Sequence, residues 1–279
     1  MKKIFDNSAV ACSKIVTNSY STSFSLAVKM LYKSIQPAIY SIYGFVRYAD
    51  EVVDTFHDYD KEVLLEEFKN DFYLSLDRGI SLNPILHSFQ RVVIDYNIDL
   101  NLIQAFLRSM KMDLTKSNYA TYEEYKEYIY GSADVVGLMC LKVFVNGDQE
   151  KYEELKDSAM ALGSAFQKVN FLRDLKQDFN DLNRSYFPGI DLKNLNEATK
   201  SQIIEEIEAD FAKAYEGILK LPNEAKFGVY TAYVYYKKLL TNLKKTEPVK
   251  ITNTRIRVSN PIKFFLLGRS YITYKLNLL

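Results

Sequence analysis

The sequence predicts a single all-α domain, and three observations carry that expectation. Apolar residues recur three and four positions apart along most of the 279 residues, the period of one buried helix face. No stretch alternates strictly between apolar and polar side chains, as a half-buried strand would. Glycine (10) and proline (6) are scarce, and breaks in the periodicity fall where turn chemistry is strong: Asn83-Pro84, Asn146-Gly147-Asp148, Pro188-Gly189 and Glu247-Pro248.

In chain order the pattern predicts helices over 6–18, 36–56, 61–77, 84–95, 99–112, 121–145, 149–180, 197–219 and 222–245. No Gly/Ser linker, low-complexity tract or internal repeat interrupts them, so residues 1–279 are expected to form one domain. Hydrophobic residues at 48% supply ample core, and the 22 tyrosines and 17 phenylalanines are expected mostly inside it, tyrosine hydroxyls reaching a partner or water. Within 121–145, Gly131 and Gly137 each cost about 1 kcal/mol relative to alanine in a helix. Either a bulky chain approaches there or two helices pack tightly.

Composition excludes several function classes. Thirty-six basic residues against 35 acidic leave a formal charge of +1, without the basic excess of a nucleic-acid binder. Cys12 and Cys140 are far apart, and His57 and His87 are the only histidines, so neither a disulfide framework nor a zinc site is indicated. Any bound metal must be held by carboxylates, which favour magnesium or manganese. The N-terminus meets Asp6 and Asn7 before an apolar run can form, unlike a secretory signal. No run approaches the roughly 18 apolar residues of a membrane span. A cytoplasmic protein is expected.

Two inward-facing acidic stripes carry the chemistry. In the helix 36–56, Ile39, Tyr43 and Val46 share a face, and Asp50 and Asp54 continue it. Carboxylates at i and i+4 repel, and turning them inward without a partner is costly, so a divalent cation between them would relieve both problems. The alternative is a solvated helix end where the apolar stripe stops. In the helix 149–180, Gly163, Gln167, Asn170, Asp174 and Asp178 fall within about 80° of one another. A narrow polar stripe on an otherwise apolar helix lines a wet cavity or binds something. Each aspartate pair has a nearby arginine, Arg47 or Arg173. Facing one another, the pairs could hold magnesium, the magnesium a diphosphate, and the arginines its remaining oxygens. The organic fragment left by a departing diphosphate is a cation, which aromatic faces stabilise. No Gly-x-Ser-x-Gly elbow, P-loop or Rossmann glycine pattern offers another chemistry.

The ordered set of motifs resembles the squalene/phytoene synthase family over roughly residues 10 to 265. It runs Tyr20-Ser21-Thr22-Ser23-Phe24, Asp50-Glu51-Val52-Val53-Asp54, Tyr130-Gly131-Ser132-Ala133-Asp134-Val135-Val136-Gly137, Gln167 to Asp178, Arg184-Ser185-Tyr186-Phe187-Pro188, then Arg255-Ile256-Arg257-Val258. Many members carry Asp-Asp at the first motif, where this chain has Asp50-Glu51. The mid-chain wording is closer to bacterial carotenoid-pathway members than to squalene-forming ones. The lack of a long hydrophobic C-terminal anchor points the same way.

The resemblance implies an isoprenoid-synthase helical bundle with a central cavity. It implies metal ligation by Asp50, Asp54, Asp174 and Asp178, with Mg2+ expected and Mn2+ possible. Arg47, Arg173, Arg255, Ser21, Asn170 and Tyr235 would contact diphosphate, Tyr20 and Tyr43 would bind substrate, and Phe24 would lie against a prenyl chain. Tyr130 and Gln167 would flank the reacting carbons, with Asn170 and Asp174 also in the catalytic set. Tyr236 and Arg257 compete with Tyr235 and Arg255 for their places.

The implied reaction joins two geranylgeranyl diphosphates head-to-head to phytoene through a cyclopropylcarbinyl diphosphate, without NADPH. Squalene or dehydrosqualene formation from farnesyl diphosphate, head-to-tail elongation, terpene cyclisation and a non-catalytic helical assembly role are the alternatives. The retained aspartates weigh against an assembly role, and the lack of Asp-Asp-x-x-Asp against elongation and cyclisation. Finally, Lys263 to Leu279 mixes Phe264, Phe265, Leu266 and Leu267 with Lys263, Arg269 and Lys275. Such a stretch either lies on a membrane surface or forms a last helix closing the bundle.

Overall fold

The structure, a computed structural model, describes residues 1–116, 118–180, 186–188 and 195–276, and of 177–180 the backbone alone. The nine predicted helices are all present within a few residues of their expected ends. They are α1 (Lys2–Tyr20), α3 (Gln36–Asp54), α4 (Lys61–Arg78), α5 (Pro84–Asp95), α6 (Leu100–Thr115), the 121–145 segment, α9 (Gln149–Asn180), α10 (Glu197–Lys220) and α11 (Asn223–Lys245). Three further helices join them: α2 (Thr22–Lys29), α12 (Pro248–Asn253) and α13 (Asn260–Lys275).

Local chemistry fixes the ends. Asp60 caps α4, Asn83 α5, Asp99 α6 and Asn196 α10, each side chain accepting from a backbone N–H of the first turn. Thr121 and Glu124 form a reciprocal capping box. Asn146 and Gly147, at φ 52° and 75°, take the left-handed conformations that turn the chain into α9.

The 121–145 segment is the one predicted helix that is not continuous. It divides into α7 (Tyr122–Ile129), a π-helical turn (Tyr130–Asp134) and α8 (Val135–Phe144). The turn is wedged between α6 and α9. A Cβ on Gly131 would sit 2.9 Å from the Ala105 carbonyl of α6, and one on Gly137 2.9 Å from that of Ala159 in α9. Tight helix packing therefore explains Gly131, while Gly137 both packs and borders the cavity. Ser164 of α9 donates to Asp134 at 2.7 Å and pins the turn in place. Burial pushes the Asp134 carboxyl up to about 7, with that hydrogen bond opposing.

Two hydrophobic clusters surround the centre. In one, Phe45 of α3 stacks on Phe89 at 4.1 Å and meets Phe68, Phe72 and Phe106. In the other, Tyr128, Phe171 and Tyr186 stack, and the hydroxyls of Tyr128 and Tyr119 donate to Asp113 at 2.8 and 3.3 Å. The buried hydroxyls of Tyr40 and Tyr125, by contrast, have no hydrogen-bond partner among the described residues. Leu162 and Tyr233 pack against both clusters. Buried Lys168 of α9 pairs with Glu206 and Asp210, fastening α10 alongside.

Candidate active site

Helices α2, α3, α8, α9, α10 and α11, with the π turn, enclose a central, open-mouthed cavity of about 300 Å³. Its floor is apolar, formed among others by Leu31, Phe144, Leu155 and Leu221. Polar groups gather at the other end: Asp50 from α3, Gln167 and Asn170 from α9, and Tyr236 from α11. The Tyr236 hydroxyl donates to Asn170 Oδ1 at 3.3 Å. Phe24 stacks on Tyr43 at 4.7 Å, and Phe166 on Tyr236 at 3.9 Å, so two aromatic pairs stand between rim and floor.

The rim is electrostatically loaded. Asp50 keeps 32% of its side-chain surface, which opens into the cavity. Desolvation, then repulsion from Asp54, pushes its carboxyl up to about 7, while Arg47 pulls the other way. Arg47 lies 3.9 Å from Asp50, hydrogen-bonds Glu51 and stacks over the Tyr20 ring at 4.4 Å. On α9, Asp174 sits one turn beyond Asn170. It takes Arg173 Nε at 2.9 Å and Arg255 Nε at 2.8 Å. Burial works against the Arg173 charge, but Asp174 outweighs it and raises the guanidinium further. Tyr43 links the two acidic helices: its hydroxyl is within electrostatic reach of Asp50 and Tyr236, and Tyr236 of Arg173 and Asp174. Burial lifts the Tyr43 phenol to about 12, so it stays neutral.

A squalene/phytoene synthase sequence model matches residues 17–261, which contain every element of this cavity. The chain belongs to the squalene/phytoene synthase family. Members of that family are prenyltransferase-type isoprenoid synthases. One relative is the 15-cis-phytoene synthase of Synechocystis sp., 27% identical over 292 residues, covering 92% of this chain and 82% of that protein. A crystal structure of a dehydrosqualene synthase in complex with a ligand superposes with a TM-score of 0.83 at 20% identity, covering 97% and 98% of the two chains. The squalene synthase HpnC of Alicyclobacillus acidocaldarius gives 0.75 at 19% identity, covering 91% and 97%. These structures show that the isoprenoid-synthase helical fold is shared.

Within this family member, Phe24, Tyr43, Asp50, Gln167 and Asn170 line the cavity, and Arg47, Arg173, Asp174 and Arg255 cluster at its rim. Ser21 spends its hydroxyl on capping α2, accepting from Phe24 N at 3.2 Å. Tyr130 is off the wall, 38% exposed, on the side of the π turn nearest Tyr152; Ser132 and Ala133 take the wall instead. Tyr235 lies beneath Lys263, and its neighbour Tyr236 faces the cavity. Of the competing arginines, Arg255 reaches Asp174. The Asp178 side chain, and Arg184 and Ser185 of the fifth motif, lie outside the described residues.

Sequence reasoning missed Phe166 and Asp113. Asp113 carries no motif, yet its charge bears on Asp50. Among the described residues no three carboxylate, histidine or cysteine side chains converge on one point. The donors at the rim are nonetheless all oxygens, and Asp50 is a desolvated carboxylate beside a second one. A hard divalent cation suits such a setting.

Proposed function

We propose that this chain condenses two geranylgeranyl diphosphates head-to-head, giving phytoene and two diphosphates. The observation that supports the reading best is the polarity of the cavity, an acidic and arginine-rich rim above a floor with no charged side chain among the described residues. A diphosphate fits the first, and prenyl chains fit the second.

Asp50 and Asp54 on α3, with Asp174 and Asp178 on α9, would hold magnesium. When bound, the metal supplies charge that stabilises a departing diphosphate. Arg47, Arg173 and Arg255 take phosphate oxygens from the flanks, where planar guanidinium groups bind bidentately. The first C1–O bond breaks, and the alkene of the second substrate attacks the allylic cation. Proton loss then closes a cyclopropylcarbinyl diphosphate. Loss of the second diphosphate, ring rearrangement and a further proton loss give the triene centre of phytoene. The rings of Phe24, Tyr43, Phe166 and Tyr236 present π faces to these cations, and the apolar wall excludes water that would quench them.

Synthesis of a C30 product from farnesyl diphosphate is the second reading, favoured by the bulky Phe144 and Leu221 side chains in the cavity wall. Incubation of the protein with magnesium and each diphosphate, followed by mass analysis of the hydrocarbon, separates the two. Phytoene from geranylgeranyl diphosphate without NADPH is expected; product that requires NADPH overturns the assignment.

A further inference from the structure

Helix α13 wears its polarity inside out. Its inner stripe consists of Lys263, half-buried Leu266 and Leu267, buried Ser270 and half-buried Tyr274. Tyr271 and Tyr274 reach back to Phe227 of α11 at 5.8 and 5.2 Å. The large apolar residues face outward: Phe264 is 66% exposed, Phe265 69%, Ile272 59% and Leu276 62%. Positions 264/265, 272 and 276 share one side of the helix, so these four side chains form one exposed apolar strip, with Gly268 between them. Single exposed apolar residues are unremarkable on a protein surface, whereas a contiguous aromatic strip marks an interaction site.

Charge selects the partner. From Pro248 onward the sequence carries Lys250, Arg255, Arg257, Lys263, Arg269 and Lys275 and no acidic residue, although the whole chain totals only +1. On α13 itself the exposed Arg269 and Lys275 accompany the apolar strip and complement an anionic bilayer, with rings at the acyl boundary and cations at the headgroups. A second copy of the chain complements it poorly, because a twofold pairing through α13 would bring basic helices together. No described helix is long and apolar enough to cross a membrane, so contact would be interfacial.

Helix α13 also lies close to the cavity, without lining it. Lys263 Nζ donates to Thr22 Oγ1 of α2 at 3.2 Å and lies 5.4 Å from the Tyr235 ring centre. The next residue, Tyr236, is cavity wall, as is Phe24 one turn into α2. Helix α11 therefore separates the cavity from α13 by one helix thickness.

We propose that α13 docks this protein on an anionic lipid surface through Phe264, Phe265, Ile272 and Leu276. The docked chain opens its cavity next to the bilayer.

The chain has no tryptophan, so F264W places a single fluorophore in the strip. Mixing this variant with phosphatidylglycerol vesicles should shift its emission to the blue, and brominated acyl chains should quench it. R269Q/K275Q in that background should weaken partitioning roughly 25-fold, at about fivefold per basic residue near the surface. F265S/I272S should abolish it while leaving the circular dichroism spectrum intact. No substrate is involved, so failure here leaves the proposed reaction standing. Equal partitioning into phosphatidylglycerol and phosphatidylcholine vesicles overturns the proposal. So does an unchanged spectrum with vesicles accompanied by a dimer that F265S/I272S dissociates.

Discussion

Asp50→Asn should stabilise the free protein while destroying its activity. The carboxyl rises from an ordinary 3.8 to about 7 in the folded chain. Three units at 1.36 kcal/mol each give an upper bound of about 4 kcal/mol. Since 32% of the side chain stays accessible, solvent screening removes about half, leaving about 2 kcal/mol. Between about pH 4 and about pH 7 the folded chain binds this proton more tightly than the unfolded chain does. Stability therefore falls as pH rises through that window, and the full penalty persists above it. Asparagine carries no such penalty. At about pH 8 the variant should melt about 4–8 °C higher, by the midpoint shift usual for a chain near this size. The gap should shrink by about pH 5, and magnesium should narrow it at pH 8 by raising the wild-type midpoint alone. Turnover should fall about a hundredfold or more. Circular dichroism melts at the two pH values, with and without magnesium, read the stability changes, and a product assay reads the turnover. A variant that melts no higher than wild type at pH 8 refutes the picture of an under-compensated carboxylate.

Three further substitutions probe the cavity. Gly163→Ala places a Cβ 2.8 Å from the Ala133 carbonyl oxygen, where backbone of the π turn cannot swing aside; urea denaturation should show a loss of about 1–3 kcal/mol. Phe144→Ala opens the apolar floor, costs about 2–4 kcal/mol of stability and should move the product ratio toward the longer diphosphate in a mixed-substrate assay. Arg255→Gln, at a 45% exposed side chain, should leave the melting midpoint within a degree or two. It should raise KM for the diphosphate substrate severalfold.

The long helices were legible because each buries one stripe, and a buried stripe writes its period into the sequence. The phase of that stripe placed Asp50 on the Ile39, Tyr43 and Val46 face, and the structure puts all four on the cavity wall. Helix α2 escaped detection because eight residues give barely two turns of period, and its Ser21 cap reads equally well as a ligand contact. The π turn escaped because one extra residue in the hydrogen-bond ring leaves composition unchanged, yet it rotates the side chains about the helix axis. That rotation sends Tyr130 outward and brings Ser132 and Ala133 to the wall. Tyr235 and Tyr236 are adjacent, about 100° apart on the helix. Only the packing of α11 against α9 decides which faces inward. Asp113 could not be found from spacing, since the tyrosines it serves arrive from a different segment.

The rim charges also set an order on binding. Four carboxylates (Asp50, Glu51, Asp54 and Asp174) stand among three guanidinium groups (Arg47, Arg173 and Arg255), and in the free chain Glu51 and Asp174 occupy the arginines. A bare diphosphate meets arginines already engaged and carboxylates that repel it. A bare divalent cation meets two of the four carboxylates, Glu51 and Asp174, already paired with guanidinium groups. Arriving together, each releases the partner the other needs, because carboxylate oxygens turned to the cation leave the guanidinium groups free for phosphate. The two ligands should therefore bind with positive and reciprocal coupling, of about 1–3 kcal/mol as is usual between linked sites. Calorimetric titration with inorganic pyrophosphate should give a dissociation constant at least about fivefold tighter in magnesium than in EDTA. Arg255→Gln should shrink that factor, because one of the latches on Asp174 is then already open. A pyrophosphate affinity independent of magnesium, or a coupling unchanged by Arg255→Gln, removes the basis for this exchange of partners.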